Sequence, residues 1–185
     1  MTSATRPTAK PRASRKYTEQ LRAVGAYTYI TYTRILKPLS DRAYFHLVYA
    51  TRNPKGIRKF RDVEQQTVKE QDAVRETAQR EHREQRTGQT ELTFAPADEL
   101  SGTIQAERAE RLQEAETRLF TLLKQGPQRY EHLQPRILEI PLVWQNDLNS
   151  MLTHLCKAGR ITIPLAPRQR IPKPGNIIGL PDQNT

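Results

Sequence analysis

The sequence predicts an α+β chain: a β-hairpin with flanking helices, a long charged helix, and a C-terminal unit of helices and short strands. Three observations carry that expectation. Residues 27–36 (YTYITYTRIL) and 43–50 (AYFHLVYA) are dense in aromatic and β-branched residues, as strands are, and a polar turn with Pro38 and Ser40 separates them. Asn53-Pro54-Lys55-Gly56 is turn chemistry that opens a helix over roughly 57–85. Leu148, Met151, Leu152 and Leu155 recur at i, i+3, i+4 and i+7, the spacing of one buried helical face.

Composition limits what the chain can do. At 185 residues it has room for one or two domains, and a mean hydropathy of −0.78 with 13 prolines leaves much of it outside any core. A formal charge of +10 favours an anionic partner, nucleic acid before membrane, because no apolar run approaches spanning length. The 20 acidic residues temper this, since many cations have acidic neighbours. Cys156 is the only cysteine, so no intrachain disulfide forms and a reducing cytoplasm is the plain expectation. The basic N-terminus is followed by no apolar core of a signal peptide.

Residues 1–16 carry five basic and no acidic residues among small and polar ones, which reads as a disordered basic tail, either a solvated tail or an electrostatic arm. Residues 17–24 read as a short helix stopped at Gly25. The second strand alternates Phe45, Leu47 and Tyr49 with Tyr44, His46 and Val48; neither face is strongly polar, so cover is expected on both. A lone hairpin is marginal in water, and no third convincing strand lies nearby, so residues 17–62 are expected to be the end of a larger sheet domain. Ile57, Phe60 and Val63 give the long helix a short apolar start. Beyond them it reads as an exposed spacer laced with local ion pairs such as Glu70 with Arg75, leading into a linker; together these occupy 63–103. An apolar clip, Leu92-Thr93-Phe94, interrupts the linker.

The last unit is expected over 104–180, with a short tail at 181–185. A helix over 104–125 presents Leu112, Ala115, Leu119 and Leu122 and ends at Gly126-Pro127. A one-bridge strand at 129–133 and a short helix at 134–140 follow, with Pro141 as a break. Asn146 or Asp147 caps the next helix, and Ala158-Gly159 closes it. Ile161-Thr162-Ile163, a basic proline-rich loop over 164–174 and a strand at 176–180 complete the order of a winged helix-turn-helix, with the loop as wing.

YTEQLRAVGAYTYI, YFHLVYATRNPKGIRKFRDV, DLNSMLTHLCKAGRITIP and PRQRIPKPG together resemble the C-terminal region of the three-Cys-motif partner (TcmP) family, over roughly residues 17–180. The resemblance implies that residues 27–50 are the last hairpin of a Rossmann methyltransferase-like domain, followed by a linker and a winged helix-turn-helix of the GMT-like type. Family members carry upstream a glycine-rich turn of the type FAGPG, where a cofactor would approach the backbone. The eight glycines here are scattered and form no strand-GxG-helix unit. The chain therefore looks like a truncated or split member, and no cofactor and no catalytic residue is expected of it alone. The three cysteines of the family name belong to the partner.

Metal binding is not expected: His46, His82, His132, His154 and Cys156 lack ligand spacing, and His154 and Cys156 point about 200° apart on one helix. Cys156 is expected to be partly packed core, and Ser40 and Asp41 turn residues rather than catalysts. Five tyrosines between residues 27 and 49 suit either strand formation or base stacking, although the RNP pattern is missing. The winged helix carries the functional signal. Asn149, Ser150, Thr153, His154 and Lys157 lie off the apolar stripe, and Arg160, Arg168, Arg170 and Lys173 add charge at the helix end and in the wing. No arginine sits on the helix, so the commonest guanine contact is unavailable there, and the pattern favours phosphate contact over base reading. The expected function is a non-enzymatic nucleic-acid-binding or targeting module, for DNA first, beside a partner protein that completes the sheet domain. The C-terminal half of a split methyltransferase-like enzyme, or a protein-docking adaptor, are the alternatives.

Overall fold

A computed structural model describes residues 12–90 and 100–181, with side chains from residue 17 onward. The chain is mixed α+β, with five helices and two small antiparallel sheets among the described residues. Helix α1 (Arg12–Gly25) precedes strands β1 (Tyr29–Leu36) and β2 (Ala43–Thr51). These pair antiparallel from Tyr29↔Thr51 to Leu36↔Ala43, with an irregularity after Ile35. Helix α2 (Pro54–Thr87) then runs to α3 (Gly102–Leu123), β3 (Gln128–Arg129), α4 (Tyr130–Leu138), α5 (Gln145–Lys157) and β4 (Ile177–Ile178).

The start of α2 is set by local chemistry. The Asn53 side chain accepts from the Lys55 N–H at 3.0 Å and Pro54 takes the first helical turn, where its missing N–H costs nothing. Ile57 is fully buried and Phe60 stacks on Tyr49 with ring centroids 4.9 Å apart, so this first turn seats α2 against the hairpin. At Gly56 a Cβ would lie 2.7 Å from the Tyr49 hydroxyl and 3.1 Å from Thr51 Oγ1; a bare glycine permits the close approach. The other end of α2 closes on Gly88 in the left-handed region, whose N–H reaches Glu84 O at 2.8 Å.

Beyond Val63, α2 departs from the expected exposed spacer. Arg61, Glu64, Val68, Asp72 and Arg75 are all buried, one stripe down a single face. Arg75 does not serve a surface pair with Glu70. It turns into the hairpin loop, where it meets Asp41 Oδ1 at 2.7 Å and the Lys37 and Ser40 carbonyls at 3.0 and 3.2 Å. Asp72 accepts from the Ser101 N–H at 2.5 Å and the Ser101 hydroxyl at 2.8 Å, tying α2 to the start of α3. Val68, Ile104 and Trp144 form a small apolar cluster across α2, α3 and the α5 entrance. Residues 61–75 thus make a strut packed between the hairpin and the C-terminal unit, and residues 81–90 run on almost wholly exposed. The apolar clip at 92–94 lies outside the described residues.

The hairpin departs from expectation as well. Its β1 side is covered, with Ile30, Thr31, Thr33 and Leu36 buried. On β2, Tyr44 of one face and Phe45 and Leu47 of the other remain 71%, 49% and 50% exposed, so the cover expected on both faces is incomplete on each over the first half of this strand among the described residues. Helix α1 begins at Arg12 rather than at residue 17.

In the C-terminal unit Ala115, Leu119 and Leu123 of α3, Leu133 and Ile137 of α4, and Leu148, Leu152 and Leu155 of α5 enclose one core, closed by Ile161 and Ile178. Full burial of each such leucine or isoleucine contributes about 1.5–3 kcal/mol, which explains why the helical spacing of apolar residues was readable here. Leu112, Met151 and Cys156 pack partly buried against it. The short strand lies at Gln128–Arg129 and α4 starts at Tyr130, both earlier than expected, because Gln128 and Arg129 pair with Ile178 and Ile177. Thr162 bridges Gly179 beyond that pairing. Trp144 rather than Asn146 caps α5: its N–H donates to Asp147 Oδ2 at 2.8 Å, so Asp147 acts from inside the first turn.

Candidate nucleic-acid interface

Leu148, Leu152 and Leu155 face the core, which leaves Ser150, His154 and Lys157 exposed on the opposite side of α5 at helical spacing. Asn149 and Thr153 are half-buried and engaged internally. Asn149 Oδ1 accepts from Gln145 Nε2 at 2.9 Å and Tyr130 Oη at 3.3 Å, and Thr153 Oγ1 donates back to the Asn149 carbonyl at 2.8 Å. Gln145 also donates to Tyr130 Oη at 2.8 Å and accepts from Gln134. Burial pushes the Tyr130 hydroxyl up from its ordinary value, keeping it protonated as the donor to Asn149. Asn149 therefore fixes α4 against α5, and its side-chain oxygen is not offered to a base.

Arg160 is exposed but already paired. It reaches Glu116 at 2.6 Å and its guanidinium lies 4.6 Å from the Phe120 ring centroid, tying the end of α5 to α3.

The loop after Ile163 is built around two residues that sequence reasoning passed over. Asn176 Oδ1 accepts from Gln169 Nε2 at 2.5 Å and the Lys173 N–H at 2.8 Å, while its Nδ2 donates to the Pro164 carbonyl at 3.1 Å. Gln169 Nε2 also donates to the Ile171 carbonyl at 2.8 Å. One asparagine thus ties both stems and the tip. The only available signal was its place beside Gly175 at the loop's end, which reads equally well as the start of a strand. Glu131, on α4, accepts from the Gly175 N–H at 2.8 Å and pins the loop to the helical body. That backbone N–H holds the Glu131 carboxyl below its usual range, with further help from the residue's own N–H and from Arg129 and His132, against a small opposing effect of burial.

The loop tip is a turn, Ala166-Pro167-Arg168-Gln169, closed by the Gln169 N–H to the Ala166 carbonyl at 2.9 Å. Arg168 sits at φ 70°, a left-handed slot that ordinarily takes glycine or asparagine. An L-residue with a Cβ pays about 1–2 kcal/mol there. Arg168, Arg170 and Lys173 are all exposed, as is Lys157 at the end of α5. None of the four has a carboxylate within ion-pair distance among the described residues, whereas Arg61, Arg75, Arg108, Arg118 and Arg160 all have one.

Of the nine residues singled out from the sequence, six are therefore free to meet a ligand: Ser150, His154, Lys157, Arg168, Arg170 and Lys173. Among the described residues no three His, Cys, Asp or Glu side chains gather as a metal site, and no helix is long and apolar enough to cross a membrane. Ser40 and Asp41 serve as acceptors for Arg75 in the hairpin loop. Compared with known proteins, the chain matches no family model, no curated protein and no solved structure.

Proposed function

We propose that the C-terminal unit is a winged helix-turn-helix that binds nucleic acid, DNA in the first place, through the phosphate backbone, and that the chain acts without catalysis as a binding or targeting module. The element order supports this: helix, strand, two helices, a bridge at Thr162, a basic loop and a closing strand. The observation that carries the reading is the placement of charge. Arg61, Arg75, Arg108, Arg118 and Arg160 face carboxylates, while Lys157, Arg168, Arg170 and Lys173 stay exposed on α5 and the adjoining loop with no ion pair among the described residues. Such cations position a duplex rather than read its bases. If all four neutralise phosphates, log affinity falls against log salt with a slope of about −3.6, largely independent of sequence. Fluorescence anisotropy with several unrelated duplexes at varied salt tests this; absence of binding at low salt removes the reading.

A second reading rests on the hairpin. Tyr44, Phe45 and Leu47 are exposed on a strand whose outer edge pairs with no other strand among the described residues, a surface suited to a protein partner that adds strands and completes a methyltransferase-like sheet. The two readings are compatible, because the hairpin and the loop lie on different parts of the chain. Leu47→Lys is expected to abolish sheet completion and leave duplex binding unchanged.

A further inference from the structure

A cleft of about 360 Å³ opens between α1, β1, α3 and α4, away from the residues discussed above. Its volume falls within the range of small-molecule sites, roughly 300–1,000 Å³. Three guanidinium groups from three different helices line it: Arg22, Arg118 and Arg136. The one carboxylate in the lining among the described residues is Glu139, which takes Arg22 at 2.6 Å, Arg118 at 3.9 Å and the Ile30 N–H at 3.0 Å. Glu139 Oε1 takes both hydrogen bonds, and the single carboxylate holds two arginines at the cleft wall without neutralising the set. Three positive charges against one negative leave two in excess. The Arg136 guanidinium is exposed and has no acceptor among the described residues.

One wall is aromatic. Tyr27 is half-buried, its ring lying under the Arg52 guanidinium at 5.8 Å, and Arg52 is itself held by the Gly25 and Ala26 carbonyls at 3.3 and 3.4 Å. A Cβ at residue 25 would come 2.3 Å from the Tyr27 ring, so the ring reaches this position because residue 25 is glycine. Arginine forks match the oxygens of a phosphate, and two charges in excess match a phosphomonoester dianion. A tyrosine face beside them suits a planar ring.

We infer that this cleft binds a phosphomonoester carried on a nucleoside, either a free mononucleotide or the 5′-phosphorylated end of a nucleic-acid strand. This site is independent of the loop cations proposed to hold a duplex.

Isothermal titration calorimetry of the full chain tests it with adenosine 5′-monophosphate, inorganic phosphate, adenosine, and a short single strand with or without a 5′-phosphate. The mononucleotide is expected to bind at least about tenfold more tightly than adenosine, since charge-assisted contacts to the phosphate are lost in the latter. Arg136→Ala, which removes an exposed side chain with no internal partner, should weaken mononucleotide binding about tenfold without lowering the melting temperature. Tyr27→Leu should lower the preference for mononucleotide over inorganic phosphate. Arg168→Ala with Arg170→Ala should leave mononucleotide binding intact. Stronger binding of the mononucleotide than of the phosphorylated strand identifies a free ligand; the reverse identifies a strand end. Equal affinity for adenosine and its monophosphate, unchanged binding by Arg136→Ala, or no heat with any probe overturns the inference.

Discussion

Arg61 on α2 donates its Nε to the Leu138 carbonyl at the end of α4, 2.7 Å away, although the two residues lie 77 positions apart. The same guanidinium reaches the Glu139 carbonyl at 3.0 Å, the Thr31 hydroxyl on β1 and the Glu64 carboxylate at 2.6 Å. Glu64 in turn accepts from Trp144 Nε1 at 3.2 Å. One fully buried cation therefore joins the hairpin, the long helix and the C-terminal unit. Burial pushes the Arg61 guanidinium down from its usual value, and Glu64 opposes that shift most strongly.

Arg61→Met is expected to cost about 3–5 kcal/mol, because it strands Glu64 as a buried, unpaired charge and removes the donor to the Leu138 carbonyl, while the Glu139 carbonyl keeps the Thr31 hydroxyl. Urea unfolding followed by Trp144 fluorescence and by far-ultraviolet circular dichroism measures this. In the parent the two probes should coincide, since hairpin and C-terminal unit share the buried pair; in the variant they should separate. A loss below about 1 kcal/mol would place the joint between the two halves elsewhere.

The stripe Arg61, Glu64, Val68, Asp72, Arg75 explains what the sequence concealed. Its spacing is that of a buried helical face, but four of its five members are charged, so a search for apolar periodicity reads an exposed spacer. Beside the Glu64 carboxylate, the tertiary partners, the Leu138 and Glu139 carbonyls for Arg61 and Asp41 with the Lys37 and Ser40 carbonyls for Arg75, make burial of those charges tolerable. In α5, by contrast, leucines mark the inner face directly, and the exposed positions follow from it. The loop cations were legible from composition, while the engagement of Asn149 by Tyr130 and of Arg160 by Glu116 was not, since those two partners arrive from other helices.

Asp72→Ala should destabilise the chain by about 1–3 kcal/mol, through loss of both hydrogen bonds to Ser101 at the start of α3. Thermal unfolding checks it. Faster amide exchange at residues 101–104 should accompany the loss, and unchanged exchange there would deny Asp72 its anchoring role.

Arg168→Gly separates stability from binding. Glycine accepts φ 70° without strain, so stability should hold or rise by up to about 1 kcal/mol, while duplex affinity falls through loss of a phosphate contact. Denaturant unfolding and anisotropy on the same sample measure the two effects. A variant that loses stability would show that the turn does not strain its arginine.

The Glu131 tether gives the loop an acid sensitivity. Because the folded-state carboxyl is held below its unfolded value, its stabilising effect is complete above the ordinary carboxylate range and disappears as pH falls through the depressed value. The Gly175 amide resonance should therefore shift as the pH falls below the ordinary carboxylate range, and Glu131→Gln should remove that titration. A Gly175 amide that titrates equally in the variant would assign the shift to another group.

The most direct test of the account is the salt dependence of duplex binding by Arg168→Ala with Arg170→Ala, measured by anisotropy on unrelated sequences. Both side chains are exposed and without internal ion pairs among the described residues, so the fold should survive the change. If both contact phosphate, affinity falls alike for every duplex, and the slope of log affinity against log salt flattens by about two. A double variant that binds as tightly as the parent, with the same slope, would contradict the assignment of the loop as the nucleic-acid contact.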